Sequence, residues 1–169
     1  MTTATSHPTE LLKALGTDGT LTRTRLLQEA VSFTPTRHRV STASGSVFYT
    51  HCTLDTLLLP LVLNEDVHVE TTPPNTARPI ILDIQSGQVS GPEGTVISVP
   101  IRVDAGPVQQ RFCPYSNAFV DREAYDAWAA QSPVSTQGLS LEDAQAWAVT
   151  LVSQLTPESD DQDTSLGCC

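Results

Sequence analysis

With 169 residues the chain fills one ordinary domain and is too short for two. Apolar residues make up 39% and charged residues only 17%, which excludes a charge-swollen disordered chain. Nine Lys and Arg against nineteen Asp and Glu leave a net charge of -10, with Lys13 the sole lysine, so no cationic cluster is present to grip nucleic acid or anionic lipid. The longest apolar run, Leu57 to Leu63, contains Pro60 and falls far short of the roughly 20 residues that span a bilayer. The start of the chain, around Glu10 and Lys13, lacks the basic and long apolar regions of a signal peptide. The chain therefore reads as soluble and cytoplasmic, with no nucleic-acid or membrane partner. In that compartment Cys52, Cys113, Cys168 and Cys169 are expected as reduced thiols.

In chain order, Thr9 is placed to cap a short helix over Glu10 to Leu15, and Thr20 or Thr22 to cap a second through Leu26, Leu27 and Val31. Gly16, Asp18 and Gly19 break the two apart, and a packing or lid role suits the pair. Arg37 to Gly45 is rich in Ser, Thr and Arg and reads as a linker or exposed hairpin. Val47-Phe48-Tyr49 then opens a buried segment. The leucine-rich run after Cys52 predicts a buried helix that Pro60 ends or kinks, with Cys52 and Asp55 on one face. Strands are expected at Val67–Val69, Pro79–Ile84 and Thr95–Val103, paired antiparallel because the connections are short. Pro100 argues for an edge strand or a bulge in the last of them. Gln109 to Val120 reads as a further strand carrying Cys113, and helices follow over Asp121–Gln131 and Leu139–Leu155, the second capped through Ser140 and Asp143. Tyr125 and Trp128 are expected to point inward, and Glu158 to Asp163 opens an acidic tail.

The fold expected is α+β: a mostly antiparallel sheet core covered by helices, with a short helical N-terminal extension. The expected divisions are 1–45 for the extension and linker, 46–156 for the catalytic unit, and 157–169 for a tail ending in a vicinal cysteine pair.

No glycine-rich phosphate loop, G-x-S-x-G, H-E-x-x-H or C-x-x-C motif is present. His7, His38, His51 and His68 are scattered, and His51 alone neighbours another reactive group. A buried Cys52 or Cys113 is by itself compatible with simple core packing. Asp55 is harder to explain as packing, because a carboxylate beside Leu54, Leu57 and Leu58 must find a partner, a metal or a proton. Burial would raise its pKa and let it act as an acid near neutrality.

Read together, Val47-Phe-Tyr-Thr-His-Cys52-Thr-Leu-Asp55-Thr-Leu-Leu-Leu-Pro60, Val89 to Ser98, Gln110-Arg-Phe-Cys113 and Leu139 to Ala144 resemble, in order and spacing, the signature segments of the organomercurial (alkylmercury) lyases. The likeness covers about Val47 to Leu155. It implies protonolysis of a carbon–mercury bond for mercury detoxification, with no cofactor required and with external thiols for turnover. It also implies that Cys52 and Cys113 are the catalytic cysteines, that Asp55 is the catalytic aspartate, and that product mercury(II) rests on Cys52 and Cys113 with Asp55 as a weak third ligand. Thiolates suit this soft ion better than oxygen or nitrogen donors. Low-molecular-weight thiols or a mercuric reductase would then accept the metal. The Cys168/Cys169 pair resembles the relay cysteines of such reductases and is a candidate metal relay.

The chain departs from that family's pattern in four places: the N-terminal region is shorter than the winged-helix-like one, His51 stands where tryptophan is common, Thr71 and Thr72 where a further cysteine is frequent, and Pro114 follows Cys113. Two other readings stay open from sequence. One is a non-catalytic mercury- or copper-binding protein on the same scaffold, and the other is a scaffold turned to a sulfur-containing metabolite.

Overall fold

The structure is a computed structural model and describes residues 21–104 and 106–158. The expected helix at Glu10–Leu15, His7, the acidic tail beyond Glu158 and the Cys168/Cys169 pair lie outside the described residues.

Helix α1 (Arg23–Ala30) starts where the Thr22 hydroxyl accepts from Arg25 N, as the threonine predicts. A six-stranded antiparallel sheet follows in the order β1-β3-β2-β4-β5-β6, built from β1 (Val31–Ser32), β2 (His38–Thr42), β3 (Val47–Thr50), β4 (Val67–Thr71), β5 (Ile80–Gln85) and β6 (Gln88–Ser90). Helix α2 (Thr53–Leu63) crosses from β3 to β4, lying against β2, β3 and β4. A second, three-stranded sheet has the order β8-β7-β9, with β7 (Val96–Pro100), β8 (Ala118–Phe119) and β9 (Thr136–Ser140). Between β7 and β8 come α3 (Val108–Arg111) and a 3-10 turn at Cys113–Tyr115. Helix α4 (Arg122–Ala129) covers the small sheet, and α5 (Leu141–Ser153) packs along α2 while touching β6, β7 and β9, so that it ties the two sheets together. The architecture is the α+β fold expected, with every described strand pair antiparallel.

The sequence expectations need correction at five points. Residues 38–42, read as linker or exposed hairpin, form β2, an interior strand paired on both sides. Its inward residues are His38, Val40 and Thr42, two of them polar, and that hid the period-2 pattern. The strand is buried at tolerable cost because the His38 ring shares a 2.8 Å hydrogen bond with the Thr71 hydroxyl, which in turn lies 3.0 Å from that of Thr53. Gly45, at φ 93°, supplies the left-handed conformation of the turn between β2 and β3.

Residues 109–120 are a helical turn, a 3-10 turn and a two-residue strand, not one strand, since Pro107 and Pro114 start the two turns. Pro100 ends a strand that is central in its sheet. Only Val96 and Ile97 of β7 pair β8, so the proline stands past that pairing. Leu139 lies in β9, and α5 begins at Leu141 with the Ser140 hydroxyl accepting from Asp143 N. Pro60 does not end α2, which runs on to Leu63 and stops where Asn64 takes the left-handed conformation. Tyr125 points inward as expected; Trp128 is half-buried and closes a three-ring cluster with Tyr125 and Phe119.

Candidate active site

The start of α2 shapes the site. Leu54, Leu57, Leu58 and Leu59 bury this helix on all sides, at about 1.5–3 kcal/mol for each side chain, and so drag its first turn into the interior. Cys52 is the N-cap and Asp55 the third helical residue, and the two form a capping box. Cys52 N donates to Asp55 Oδ2 at 3.2 Å while Asp55 N faces the Cys52 side chain. The spacing that put both on one face in sequence thus has a local cause: each satisfies an otherwise orphaned backbone donor of the other.

Cys113 arrives from the 3-10 turn, fifty-eight positions from Asp55 along the chain, and its Sγ lies 3.8 Å from Asp55 Oδ2. The turn is clamped from several directions. The Ser98 hydroxyl of β7 donates to Tyr115 O at 2.7 Å, Asn117 Nδ2 donates to Pro114 O at 3.0 Å, and Arg37 Nη2 donates to Asn117 Oδ1 at 3.2 Å. Ser116 then reaches α2, its carbonyl accepting from Thr53 N at 3.1 Å and its hydroxyl from Leu54 N at 3.2 Å. The result brings the ligand atoms of Cys52, Asp55 and Cys113 within 4.8 Å of one another, all three side chains buried. Both cysteines are free thiols.

Electrostatics divide the three. Burial pushes the Cys52 thiol up, but hydrogen bonds from Cys113, from the Asp55 backbone and carboxyl and from Ser116 outweigh it and bring the thiol down to about 7. Its place at the positive end of a helix favours the thiolate in the same sense. Cys113 is pushed far up by its hydrogen bond to Cys52 and by burial, so it keeps its proton. Asp55 stands well above the usual carboxylate range, because burial and the neighbouring Cys52 charge both penalise its ionised form. The balance favours the thiolate at Cys52 and the protonated form at Cys113 and Asp55.

A cavity of about 330 Å³ opens onto Asp55. Its walls are Leu54 and Leu58 of α2, Leu26 and Ala30 of α1, and Val108 and Phe112 beside Cys113, with Arg25, Glu29 and Gln109 as polar members. Of the leucines singled out in sequence, Leu54 and Leu58 line the cavity and Leu57 packs in the core. Contributions from α1 and from Val108 and Phe112 were not foreseen, because nothing in their spacing marks them. Nor was Ser116, whose only sequence signal is its position three residues after Cys113. His51 is half-buried, and its backbone N–H donates to Ala30 O at 3.1 Å, which fixes α1 against the site. His38 and His68 lie outside the cluster, His68 sharing a surface hydrogen bond with Asp83 at 2.7 Å.

A cavity this apolar, with Asp55 in its wall and two sulfurs within 4.8 Å of that carboxyl, can seat a hydrocarbon group, bind a soft metal near its edge and deliver a proton. Comparison with known proteins points the same way. The family model described as alkylmercury lyase (MerB) matches residues 31–153. An alkylmercury lyase of Streptomyces lividans is 30% identical over 149 residues, covering 87% of this chain and 66% of that protein. One of Bacillus cereus is 28% identical over 150 residues, covering 85% and 68%. The chain thus spans about two thirds of the length of these relatives. Among solved structures, the mercury-bound form of MerB2 superposes with a TM-score of 0.66 at 23% identity, over 75% of this chain and 63% of that one, a likeness of fold.

Proposed function

The chain belongs to the alkylmercury lyase family, and on that premise we propose that it cleaves carbon–mercury bonds by protonolysis, with Cys52, Cys113 and Asp55 as the catalytic residues. The observation that supports the reading best is the meeting of the Cys52, Cys113 and Asp55 ligand atoms within 4.8 Å of one another, with Asp55 in the wall of an apolar cavity.

In this reading the organic group of R–Hg⁺ enters the cavity and the Cys52 thiolate takes the mercury, since soft sulfur outcompetes oxygen and nitrogen for it. Electron density from sulfur makes the carbon basic. Asp55 gives its proton to that carbon as the carbon–mercury bond breaks, and the bond's electron pair becomes the new C–H bond. Cys113 binds the metal as its own proton passes to Asp55, across the 3.8 Å contact already in place. The sum is R–Hg⁺, one thiolate and one thiol giving R–H and a neutral bis-thiolate mercury(II), with Asp55 restored. Apolar walls keep water from competing and strengthen each of these charge interactions.

No cofactor enters this scheme. External thiols, or the cysteines of a mercuric reductase, take the metal from Cys52 and Cys113 and reset the site, with Cys168 and Cys169 as a candidate relay. A reducing cytoplasm suits the reaction because both catalytic cysteines must stay unpaired. None of the described helices is long and apolar enough to cross a membrane.

Headspace gas chromatography of phenylmercury with excess thiol tests the proposal. The protein is expected to release benzene over many turnovers, and Cys52→Ala and Cys113→Ala to abolish release. Stoichiometric mercury binding with no hydrocarbon from the unaltered chain would favour the binding or trafficking reading instead.

A further inference from the structure

The two cysteine-bearing elements are far apart in sequence, and one residue bridges them directly. Ser116 N donates to Cys113 O at 3.2 Å, its carbonyl accepts from Thr53 N at 3.1 Å, and its hydroxyl oxygen accepts from Leu54 N at 3.2 Å. Thr53 and Leu54 are the first two residues of α2, whose free N–H groups every helix must satisfy. The Ser116 side chain is fully buried, so no water competes for these bonds. The hydroxyl oxygen is thereby committed to the first turn of α2, directly beside the Cys52 N-cap.

We propose that Ser116 is a positioning residue for carbon–mercury cleavage: it locks the first turn of α2 to the Cys113 turn and so fixes how far the two sulfurs stand apart. The inference rests on the lyase reading for its effect on turnover, though not for its effect on metal retention. Its physical basis is preorganisation. A metal that must be gripped by two sulfurs and protonated at carbon in one geometry gains rate when those groups are already held in place. Neighbouring contacts are less specific: the hydrogen bonds from Ser98, Asn117 and Arg37 that hold the turn do not reach α2.

The test compares Ser116→Ala with Ser116→Thr, which keeps the hydroxyl. Each is assayed for benzene release from phenylmercury below its own melting temperature, and separately for mercury(II) retained against dithiothreitol. Ser116→Ala is expected to lower kcat about tenfold with little change in KM, the loss typical of one buried hydrogen bond that leaves the Leu54 N–H unsatisfied. It is also expected to retain mercury about tenfold less well, and Ser116→Thr to recover both. A folded Ser116→Ala with kcat and retention within twofold of the unaltered chain overturns the proposal. So does a folded Ser116→Thr as impaired as the alanine variant, since shape and not the hydroxyl would then matter. If Ser116→Thr does not fold, Ser116→Ala decides alone by the same twofold limit. If the unaltered chain releases no benzene, the lyase reading fails, and the retention arm still decides whether Ser116 sets the sulfur geometry.

Discussion

In the proposed reaction, Asp55 is the side chain on which catalysis and mere metal binding part company. Binding needs the two sulfurs, whereas cleavage also needs a proton at the carbon, and Asp55 is the buried acid that faces the cavity. Asp55→Asn keeps the shape and the capping acceptor for Cys52 N but carries no transferable proton. It is expected to hold mercury(II) one to one while hydrocarbon release falls about 10²- to 10⁴-fold, the usual worth of a positioned general acid. Equal loss of binding and cleavage would instead assign Asp55 a structural role. A second residue carries a stability consequence. Burial, with Arg37 alongside, holds the His38 imidazole down to about 4, against about 6.5 in an unfolded chain. Between those values the unfolded chain takes up a proton that the fold refuses, so His38's contribution is intact above about pH 6.5 and is lost as pH falls towards 4, by about 3 kcal/mol in all. Urea midpoints at pH 7 and pH 4.5 should therefore differ less in His38→Gln than in the unaltered chain; identical differences would place the acid sensitivity elsewhere.

At the scale of elements, α2 carries both core residues and the proposed catalytic Asp55, and substitutions along it separate the two. Leu59 is buried away from the cavity and Leu58 lines it. Leu59→Ala should cost about 2–5 kcal/mol in denaturant titration and leave turnover per folded molecule unchanged, while Leu58→Ala should lower both. In the small sheet, a Cβ on Gly138 of β9 would lie 2.7 Å from Val96 Cγ1 and 2.8 Å from Tyr125 Cε1. Gly138→Ala is accordingly expected to destabilise by about 1–3 kcal/mol through overpacking, measurable as a lower urea midpoint. Elements with an apolar period were legible: α2, β4, β5 and β7 lie where the pattern puts them, as do the caps Thr22 and Ser140. β2 was not, because its inward face is His38, Val40 and Thr42, and polar residues buried by mutual hydrogen bonding look like loop residues in a sequence. β6 was missed for a related reason. It is three residues long, and the Ser86-Gly87 turn before it, both residues at positive φ, was the only local sign of a hairpin.

For the molecule as a whole, what matters is that two sheets joined through α2 and α5 bring the Cys113 turn to the start of α2. Periodicity could place Cys52 and Asp55 on one helical face, since that is a local relation. It could not place Cys113 against them, because that contact depends on β7, on the Ser98 and Asn117 hydrogen bonds and on the helical turn at Val108–Arg111, which read as strand. The link between Cys52 and Cys113 came from likeness to a family, and the 3.8 Å approach of Cys113 to Asp55 gives it a physical form. The cavity is likewise a property of the assembled fold, with walls from α1, α2 and the segment before Cys113. The most direct measurement is mass-resolved headspace analysis of phenylmercury turnover in D₂O with excess thiol. Protonolysis through Asp55 predicts monodeuterated benzene, many molecules per protein, and almost none from Asp55→Asn. Mercury taken up one to one with no benzene released, or benzene released equally well by Asp55→Asn, would contradict it.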